Sequence, residues 1–146
     1  MIALGCDHAG FPLMQIIRAH LREQGVSFQD FGTTTPDPVD YPAIAEAVAK
    51  AVANGSCETG ILVCGTGVGM SMAANKIPGI RAAACSEHYS TKYTRLHNDA
   101  NILCLGARIT GPGTALELCD IFLHTAFEGG RHQRRVDMIN RLDIRQ

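Results

Sequence analysis

The chain has 146 residues, of which 46% are hydrophobic and 18% charged, so its composition excludes a disordered chain and fits a single globular domain. Thirteen basic residues against fourteen acidic ones give a net charge of -1, which provides no positive field for nucleic acid or an anionic membrane surface. The sequence has no basic leader before an apolar core and no apolar run of about eighteen residues, which predicts a cytoplasmic protein.

The six cysteines are predicted to be reduced thiols, because the sequence shows no secretory signal. No C-x-x-C or H-x-x-x-H pair, the usual spacings of zinc ligands, occurs in the sequence. We therefore expect neither a disulfide framework nor a metal site.

Short apolar runs alternate with amphipathic segments along the chain, which is typical of an α/β protein with a parallel sheet. The first helix is the clearest, with Met14, Ile17 and Leu21 on one face and Gly25 as a stop. Predicted strands cover residues 1–5, 26–31, 60–64, 81–85 and 102–105. Predicted helices cover residues 12–24, 42–54, 68–76, 87–97 and 112–127, and a last one follows Gly129 and Gly130. These elements predict one three-layer α/β/α Rossmann-like domain with a five-stranded parallel sheet over residues 1–146.

A glycine-rich loop follows the third predicted strand, with Gly65, Gly67 and Gly69 at alternate positions after Cys64. Such a loop brings backbone N–H groups close to a ligand at the start of a helix and favours an anion. The phosphatase, Walker and dinucleotide motifs all fail here; Met70, for example, stands where a phosphatase needs arginine. Two interpretations of Cys64 remain open: a thiolate stabilised by the helix N-terminus, or a small buried hydrophobe. Cys6 has the same placement after the first strand.

Two polar residues, Asp7 and His8, stand at the carboxyl end of the first strand. Asp7 is a candidate cap for the following helix, and the pair is also a candidate contact for sugar hydroxyls or phosphate. These two roles are compatible.

A basic segment near the C-terminus places Arg131, Arg134 and Arg135 on one predicted helical face. A solvated charged face is the ordinary explanation of such a run. A phosphate clamp is the alternative, because guanidinium groups pair bidentately with phosphate oxygens.

His97 lies between the fourth helix and the fifth strand, at the amino edge of the predicted sheet and opposite Cys64. A five-residue strand separates the two edges by about 17 Å. If both residues act on one substrate, a dimer in which one protomer lends His97 to its partner's Cys64 is the direct solution. The alternative is that His97 only caps the helix C-terminus.

Six separated motifs are spread over nearly the whole chain: Gly5-Cys6-Asp7-His8-Ala9-Gly10, Asp40-Tyr41-Pro42, Cys64-Gly65-Thr66-Gly67-Val68-Gly69, Ala73-Ala74-Asn75-Lys76, His97-Asn98 and Glu128-Gly129-Gly130-Arg131-His132. Together they resemble the B-type ribose-5-phosphate isomerases, within the family that includes the galactose-6-phosphate isomerase subunits. A lone glycine loop would be a weak signal, whereas six motifs in the family's order are specific.

The resemblance implies interconversion of D-ribose 5-phosphate and D-ribulose 5-phosphate through a cis-enediolate, in the pentose phosphate pathway and without a metal or organic cofactor. Cys64 matches the family's base and His97 the acid that opens the furanose ring, while Thr66 and the amides of residues 65–69 would hold the developing oxyanion. The other implied substrate contacts are Asp7, His8, Tyr41, Gly65, Gly67, Val68, Gly69, Asn98, Arg108, Arg131 and Arg135.

The family builds its sites at a dimer interface, so the resemblance also implies a homodimer, and a homotetramer stays open. The C-terminal helix, from about residue 131, is predicted to contribute to that dimer. The protomer that supplies each arginine is left undecided.

Two other functions stay open from the sequence. A hexose 6-phosphate, such as allose or galactose 6-phosphate, would need the same chemistry in a slightly different pocket. A non-catalytic module that binds a phosphosugar would need the glycine loop and the arginines but neither a thiolate nor an acid. The presence of both Cys64 and His97 disfavours this second alternative.

Overall fold

The structure is a computed structural model that describes residues 1–145; residue 146, the last of the predicted domain, lies outside the described residues. Strands and helices alternate along the chain and end in a short 3₁₀ helix, Leu142–Arg145. The strands are β1 (Ile2–Cys6), β2 (Phe28–Asp30), β3 (Thr59–Cys64), β4 (Ala82–Ala84) and β5 (Ile102–Gly106). The helices are α1 (Phe11–Glu23), α2 (Tyr41–Ala53), α3 (Val68–Ala74), α4 (His88–Asn98), α5 (Pro112–His124) and α6 (Arg131–Arg141).

The strands form one parallel sheet in the order β2-β1-β3-β5-β4, which confirms the predicted Rossmann-like architecture. The three central strands are buried along their lengths, apart from the first residue of β3. Within the described residues, no helix is long and apolar enough to span a bilayer.

Alternate residues of the central strands face opposite helical layers, as the two-residue period of a strand requires. On β3, Ile61 and Val63 pack in the core formed with α1 and α5, whereas Leu62 and Cys64 pack in the core formed with α2 and α3. The sheet is therefore covered on both faces, which is the condition under which parallel strands are stable.

The predicted bounds differ from the observed ones mainly at the edge strands. The strands predicted over 26–31 and 81–85 each shorten to three residues, because an edge strand has a pairing partner on one side only. The helix predicted over 112–127 ends at His124, where Thr125 turns to extended backbone and its hydroxyl donates to the Ile121 carbonyl (2.6 Å).

The chain leaves β1 and β3, which are neighbours in the sheet, toward opposite sides: β1 leads to β2, and β3 leads to β4 and β5. Such a switch point opens a crevice at the carboxyl ends of the two strands, where ligands bind in open parallel sheets. Asp7 and His8 follow β1 at this point, and the glycine loop follows β3.

Candidate active site

A cavity of about 300 Å³ opens at the carboxyl ends of β1 and β3, and we call it the Cys64 cavity. It combines residues from four segments that are distant in sequence. They are Asp7, His8, Ala9, Tyr41, Cys64, Gly65, Thr66, Gly69 and Arg108.

Cys64, the last residue of β3, is only 5% exposed and yet lines this cavity. Its Sγ accepts the backbone N–H of Gly67 (3.1 Å). The thiolate is the nucleophilic and basic form of cysteine. The side chain is buried and also lines a cavity, so both interpretations of Cys64 stay open.

The backbone at Gly67 explains why this position is glycine. Its φ is +77°, and a Cβ there would lie 3.0 Å from the backbone carbon of Leu105. A larger residue would be strained and would push the loop away from β5, moving the N–H off the Cys64 sulfur.

The other cysteines lie in environments that favour the neutral thiol. Burial raises the pKa of Cys6 to about 11, although the nearby Arg18 opposes the shift. Burial also raises the pKa of Cys119 to about 12 and that of Cys104 well above its usual value. Cys6 is the last residue of β1 and lies in the core with α1, so its placement is not equivalent to that of Cys64. All six cysteines are free thiols.

Thr66 and the amides around it contribute the donors of the Cys64 cavity. The Thr66 Oγ1 accepts the Val68 N–H (3.3 Å), so its own proton stays available to donate. The amides of Gly67 and Val68 are therefore already engaged within the loop, and neither residue lines the cavity. Gly65 and Gly69 do line it.

Asp7 and His8 are fixed by backbone contacts as well as lining the cavity. The Asp7 Oδ1 accepts the N–H of Gly10 (2.9 Å), so Asp7 closes the turn that leads into α1. The His8 Nδ1 accepts the N–H of Val39 (3.2 Å). Because an N–H can only donate, Nδ1 carries no proton, and the ring proton belongs to Nε2.

Tyr41 and Arg108 border the cavity on two sides. Tyr41 is the first residue of α2, and its ring lies over Gly69, where a Cβ would come within 2.7 Å of Cζ. Arg108 follows β5; its backbone N–H donates to the Gly65 carbonyl (3.0 Å), and its guanidinium lies beside Gly65. The cavity thus carries a positive charge next to the glycine loop.

A second space, of about 430 Å³, lies at the C-terminal end of α4, and we call it the His97 cleft. Its lining residues are His97, Asn98, Arg131, His132 and Arg135. Among the described residues, none lines both the Cys64 cavity and the His97 cleft. Since α4 leads into β5, the cleft lies at the amino edge of the sheet, about 17 Å of strand away from the cavity.

The arginines of α6 differ in whether they reach the His97 cleft. Arg131 and Arg135 line the cleft, and Arg135 Nη1 donates to the Arg131 carbonyl (3.2 Å). All three arginines line a neighbouring groove with Met138, but Arg134 does not line the cleft, so the solvated-face interpretation suits Arg134. Arg108 belongs to the Cys64 cavity, so the three arginines predicted to bind phosphate do not meet within one chain.

Two residues of the cleft were not predicted as site residues: His132 and Glu128. The His97 and His132 rings stack with centroids 4.0 Å apart and planes 12° from parallel. The Glu128 Oε2 lies 3.3 Å from the His132 Nε2 and 3.8 Å from the His97 Nε2. Desolvation lowers the pKa of His132, and His97 and Arg131 add to this effect. Both residues belong to the Glu128 to His132 motif, which was the available signal, although Glu128 lies in the loop before α6.

These three side chains also form the arrangement closest to a metal site, with ligand atoms within 4.8 Å of one another. A metal bound to imidazole lies in the ring plane, about 2.0–2.1 Å from the nitrogen. One ion cannot lie in the planes of two stacked, nearly parallel rings. The observed geometry therefore does not fit coordination of a single metal by both histidines.

The chain matches known sugar isomerases over nearly its full length, and the model of the Ribose/Galactose Isomerase family matches residues 2–139. The chain is 51% identical to the ribose-5-phosphate isomerase B of Escherichia coli, over 99% of this chain and 97% of that one. It is 40% identical to the D-erythrulose-4-phosphate isomerase of Pectobacterium atrosepticum, over 94% and 91% of the two chains. The solved structure of Clostridium thermocellum ribose-5-phosphate isomerase B superposes with a TM-score of 0.96 at 47% identity, covering 98% and 97% of the chains. The chain therefore belongs to the ribose/galactose isomerase family, and it is an aldose–ketose isomerase.

Proposed function

We propose that this isomerase interconverts D-ribose 5-phosphate and D-ribulose 5-phosphate at a site that a homodimer builds from the Cys64 cavity of one protomer and the His97 cleft of its partner. The observation that carries the proposal is the division of groups between the two spaces. The reaction needs a base, donors for an oxyanion, a ring-opening acid and a phosphate anchor. The cavity holds candidates for the first two, and the cleft holds candidates for the last two.

Cys64 is the proposed base. Its thiolate takes a proton from C2 of the open-chain aldose, giving a cis-enediolate. The hydroxyl proton on O2 passes to the neighbouring O1, and the same sulfur returns its proton to C1, which gives the ketose with its carbonyl at C2. The Gly67 N–H at 3.1 Å supports the anionic sulfur. One side chain serves both transfers because C1 and C2 present the same face of a cis-enediolate.

Negative charge develops on the substrate oxygens while the enediolate exists, so donors placed in advance lower the barrier. The Thr66 hydroxyl, with its proton free to donate, and the amides of Gly65 and Gly69 are the proposed donors. Direct contact of Gly67 and Val68 with the substrate stays a prediction. Asp7 and His8, which line the same cavity, are the proposed contacts to sugar hydroxyls.

His97 is the proposed acid for opening the furanose. The C1–O4 bond breaks, O4 takes a proton from the imidazolium, and the C1 hydroxyl gives up its proton to water, leaving the aldehyde. Asn98 lies beside His97 in the cleft and is a proposed substrate contact. Tyr41 borders the cavity on the side of α2 and limits the space for the sugar.

Arg131 and Arg135 are the proposed phosphate anchors, with Arg108 contributing from the cavity side. In the dimer these charges come from both protomers. Exposed apolar side chains on and after α6, Met138, Ile139 and Leu142, support a contact between copies, because exposed apolar patches commonly mark interfaces. This agrees with the predicted part of the C-terminal helix in the dimer.

The same chemistry would serve sugar phosphates with different numbers of carbon atoms. A relative named for erythrulose 4-phosphate shows that the family is not confined to pentoses. Initial rates with ribose 5-phosphate, allose 6-phosphate and erythrose 4-phosphate measure the preference directly. We expect the highest kcat/KM with ribose 5-phosphate, and a higher value with either other sugar would reassign the substrate.

Cys64→Ala tests the base. We expect turnover of ribose 5-phosphate to fall by about 10²–10⁴-fold, the contribution of a general base, while binding of the sugar persists. Cys57→Ala is the matched control, because Cys57 is equally buried (2% exposed) and lies before β3, at the far end of the strand. Full turnover in Cys64→Ala would refute the thiolate base. A wild-type protein that binds the sugar without exchanging its C2 proton in D₂O would be a binding module.

A further inference from the structure

The carboxylate of Glu128 lies beside two residues that line the His97 cleft, His97 and His132. It lies beside the Nε2 atoms of both stacked imidazoles, and the backbone N–H of Glu128 donates to the Leu96 carbonyl (3.1 Å). That backbone bond fastens the loop before α6 to the last turn of α4, next to His97. The following residues, Gly129 and Gly130, have φ of +67° and +56°, which lets the chain turn sharply into α6.

His97 is held on several sides by this arrangement. The Tyr93 ring meets it edge-on, with centroids 4.8 Å apart, and His132 stacks on it at 4.0 Å. The aromatic contacts fix where the ring lies, but they carry no formal charge. Arg131 and Arg135 line the same cleft and make it positively charged. Glu128 is the acidic side chain that lies within 4 Å of His97 among the described residues.

We propose that Glu128 is a positioning residue for ring opening, which orients the His97 imidazole and offsets the positive charge of the cleft so that His97 can act as the acid. The inference rests on the proposed function, since it assigns a partner to the proposed acid. Glu128 acts through His97 and has no part in proton transfer between C1 and C2, which takes place in the Cys64 cavity.

The chain offers a matched control pair elsewhere on α4 and α5. The His88 Nε2 lies 2.5 Å from the Glu117 Oε2, and this exposed pair lines neither the cavity nor the cleft. Glu117→Gln therefore removes a carboxylate from an exposed histidine without touching the site. Glu128 is itself half exposed, and its bond to Leu96 uses the backbone, so Glu128→Gln should fold normally.

The experiment compares two rates in Glu128→Gln, Glu117→Gln and the wild type. The first is turnover of ribose 5-phosphate at saturation, which includes ring opening. The second is deuterium incorporation at C1 of ribulose 5-phosphate in D₂O. Ribulose 5-phosphate is open-chain because its O5 carries the phosphate, so this exchange needs the base and the enediolate but no ring opening.

We expect Glu128→Gln to lower turnover of ribose 5-phosphate by about tenfold, the size of effect seen when the partner of a functional imidazole is removed. The C1 exchange rate should stay within about twofold of wild type, because Cys64 and the oxyanion donors are intact. Glu117→Gln should change neither rate.

Unchanged turnover in Glu128→Gln would overturn the inference. An equal fall in both rates would also overturn it, because it would show a general structural or binding defect. A wild-type protein without either activity would instead refute the proposed function, so the two failures are distinguishable.

Discussion

The Cys64 cavity and the His97 cleft are held together by different means. The cavity is fixed mainly by backbone: Gly67 and Gly69 admit close contacts with β5 and Tyr41, and the Gly67 N–H holds the Cys64 sulfur. The cleft is fixed by side chains, through ring stacking of His97 on His132 and the nearby Glu128 carboxylate.

This difference follows from the position of each space in the fold. The cavity lies at the carboxyl edge of buried strands, where loops pack tightly and polar groups must be satisfied. The cleft lies at the end of a helix, where longer side chains meet solvent. The Cys64 cavity and the His97 cleft share no lining residue. Neither one alone contains all the groups that the proposed reaction needs.

Mixing of inactive subunits tests most directly whether the Cys64 cavity and the His97 cleft of two protomers form one site, and it has the largest expected effect. Cys64→Ala and His97→Ala each disable every site of their own dimers, but a mixed dimer holds one site with both residues intact. Random exchange of equal amounts should therefore restore about a quarter of wild-type activity, from almost none in either parent. Activity is measured after native mass spectrometry has confirmed the exchange.

The control mixture combines Cys64→Ala with Arg108→Ala, two changes in the same cavity. No mixed dimer then has an intact site, so activity should stay at the level of the parents. No recovery in the first mixture, despite complete exchange, would contradict a site shared between protomers.

Removal of a positive charge from the His97 cleft has the next largest expected effect, which is on KM. Arg135→Ala should raise KM by about 10–100-fold with a smaller change in kcat, because a charge-assisted bond to phosphate is made in both the ground and transition states. Arg134→Ala removes the neighbouring charge, which does not line the His97 cleft, and should leave KM nearly unchanged. Equal effects of the two changes, measured by steady-state kinetics, would mean that α6 attracts substrate only by overall charge.

A substitution in the glycine loop of the Cys64 cavity has the smallest expected effect, and it is measured as a change in the free energy of unfolding. Gly67→Ala should lower the free energy of unfolding by about 2–4 kcal/mol, because a positive φ is combined with a close backbone contact, and turnover should fall as the loop shifts. Gly25→Ala is the control, since Gly25 has a similar φ of +70° with open space around it. It should cost only about 1 kcal/mol. If urea unfolding gave equal losses of unfolding free energy for Gly67→Ala and Gly25→Ala, the contact of Gly67 with β5 would be unimportant.

The helices and central strands were predictable because their signals are local. The spacing of Met14, Ile17 and Leu21 defines the buried face of α1, and all three are buried. The ends of β2 and β4 were predicted less well, since the length of an edge strand depends on how far its one neighbour pairs with it. The end of α5 likewise depends on the turn at Thr125, which has no strong sequence signal.

The sequence motifs identified the candidate site residues, but they did not show which of these residues lie together in space. Cys64, Asp7 and His8 were each predicted at the carboxyl end of a strand, and the structure brings all three to one cavity. The separation of Arg108 from Arg131 and Arg135 was not predictable, because it depends on which edge of the sheet each loop reaches. The contact of Glu128 with His97 joins residues from two elements, and the periodicity of either one does not reveal it.

Local residue order alone determined the alternation of strands and helices, the cysteine at the end of β3 and the glycines that follow it, because propensity and spacing act between neighbours along the chain. The tertiary structure decided that Cys64 and not Cys6 lines the Cys64 cavity, since one residue of register separates the two faces of a strand. It also decided that the sulfur and the imidazole lie at opposite edges of one sheet, because every parallel strand runs in the same direction and carries its two ends apart.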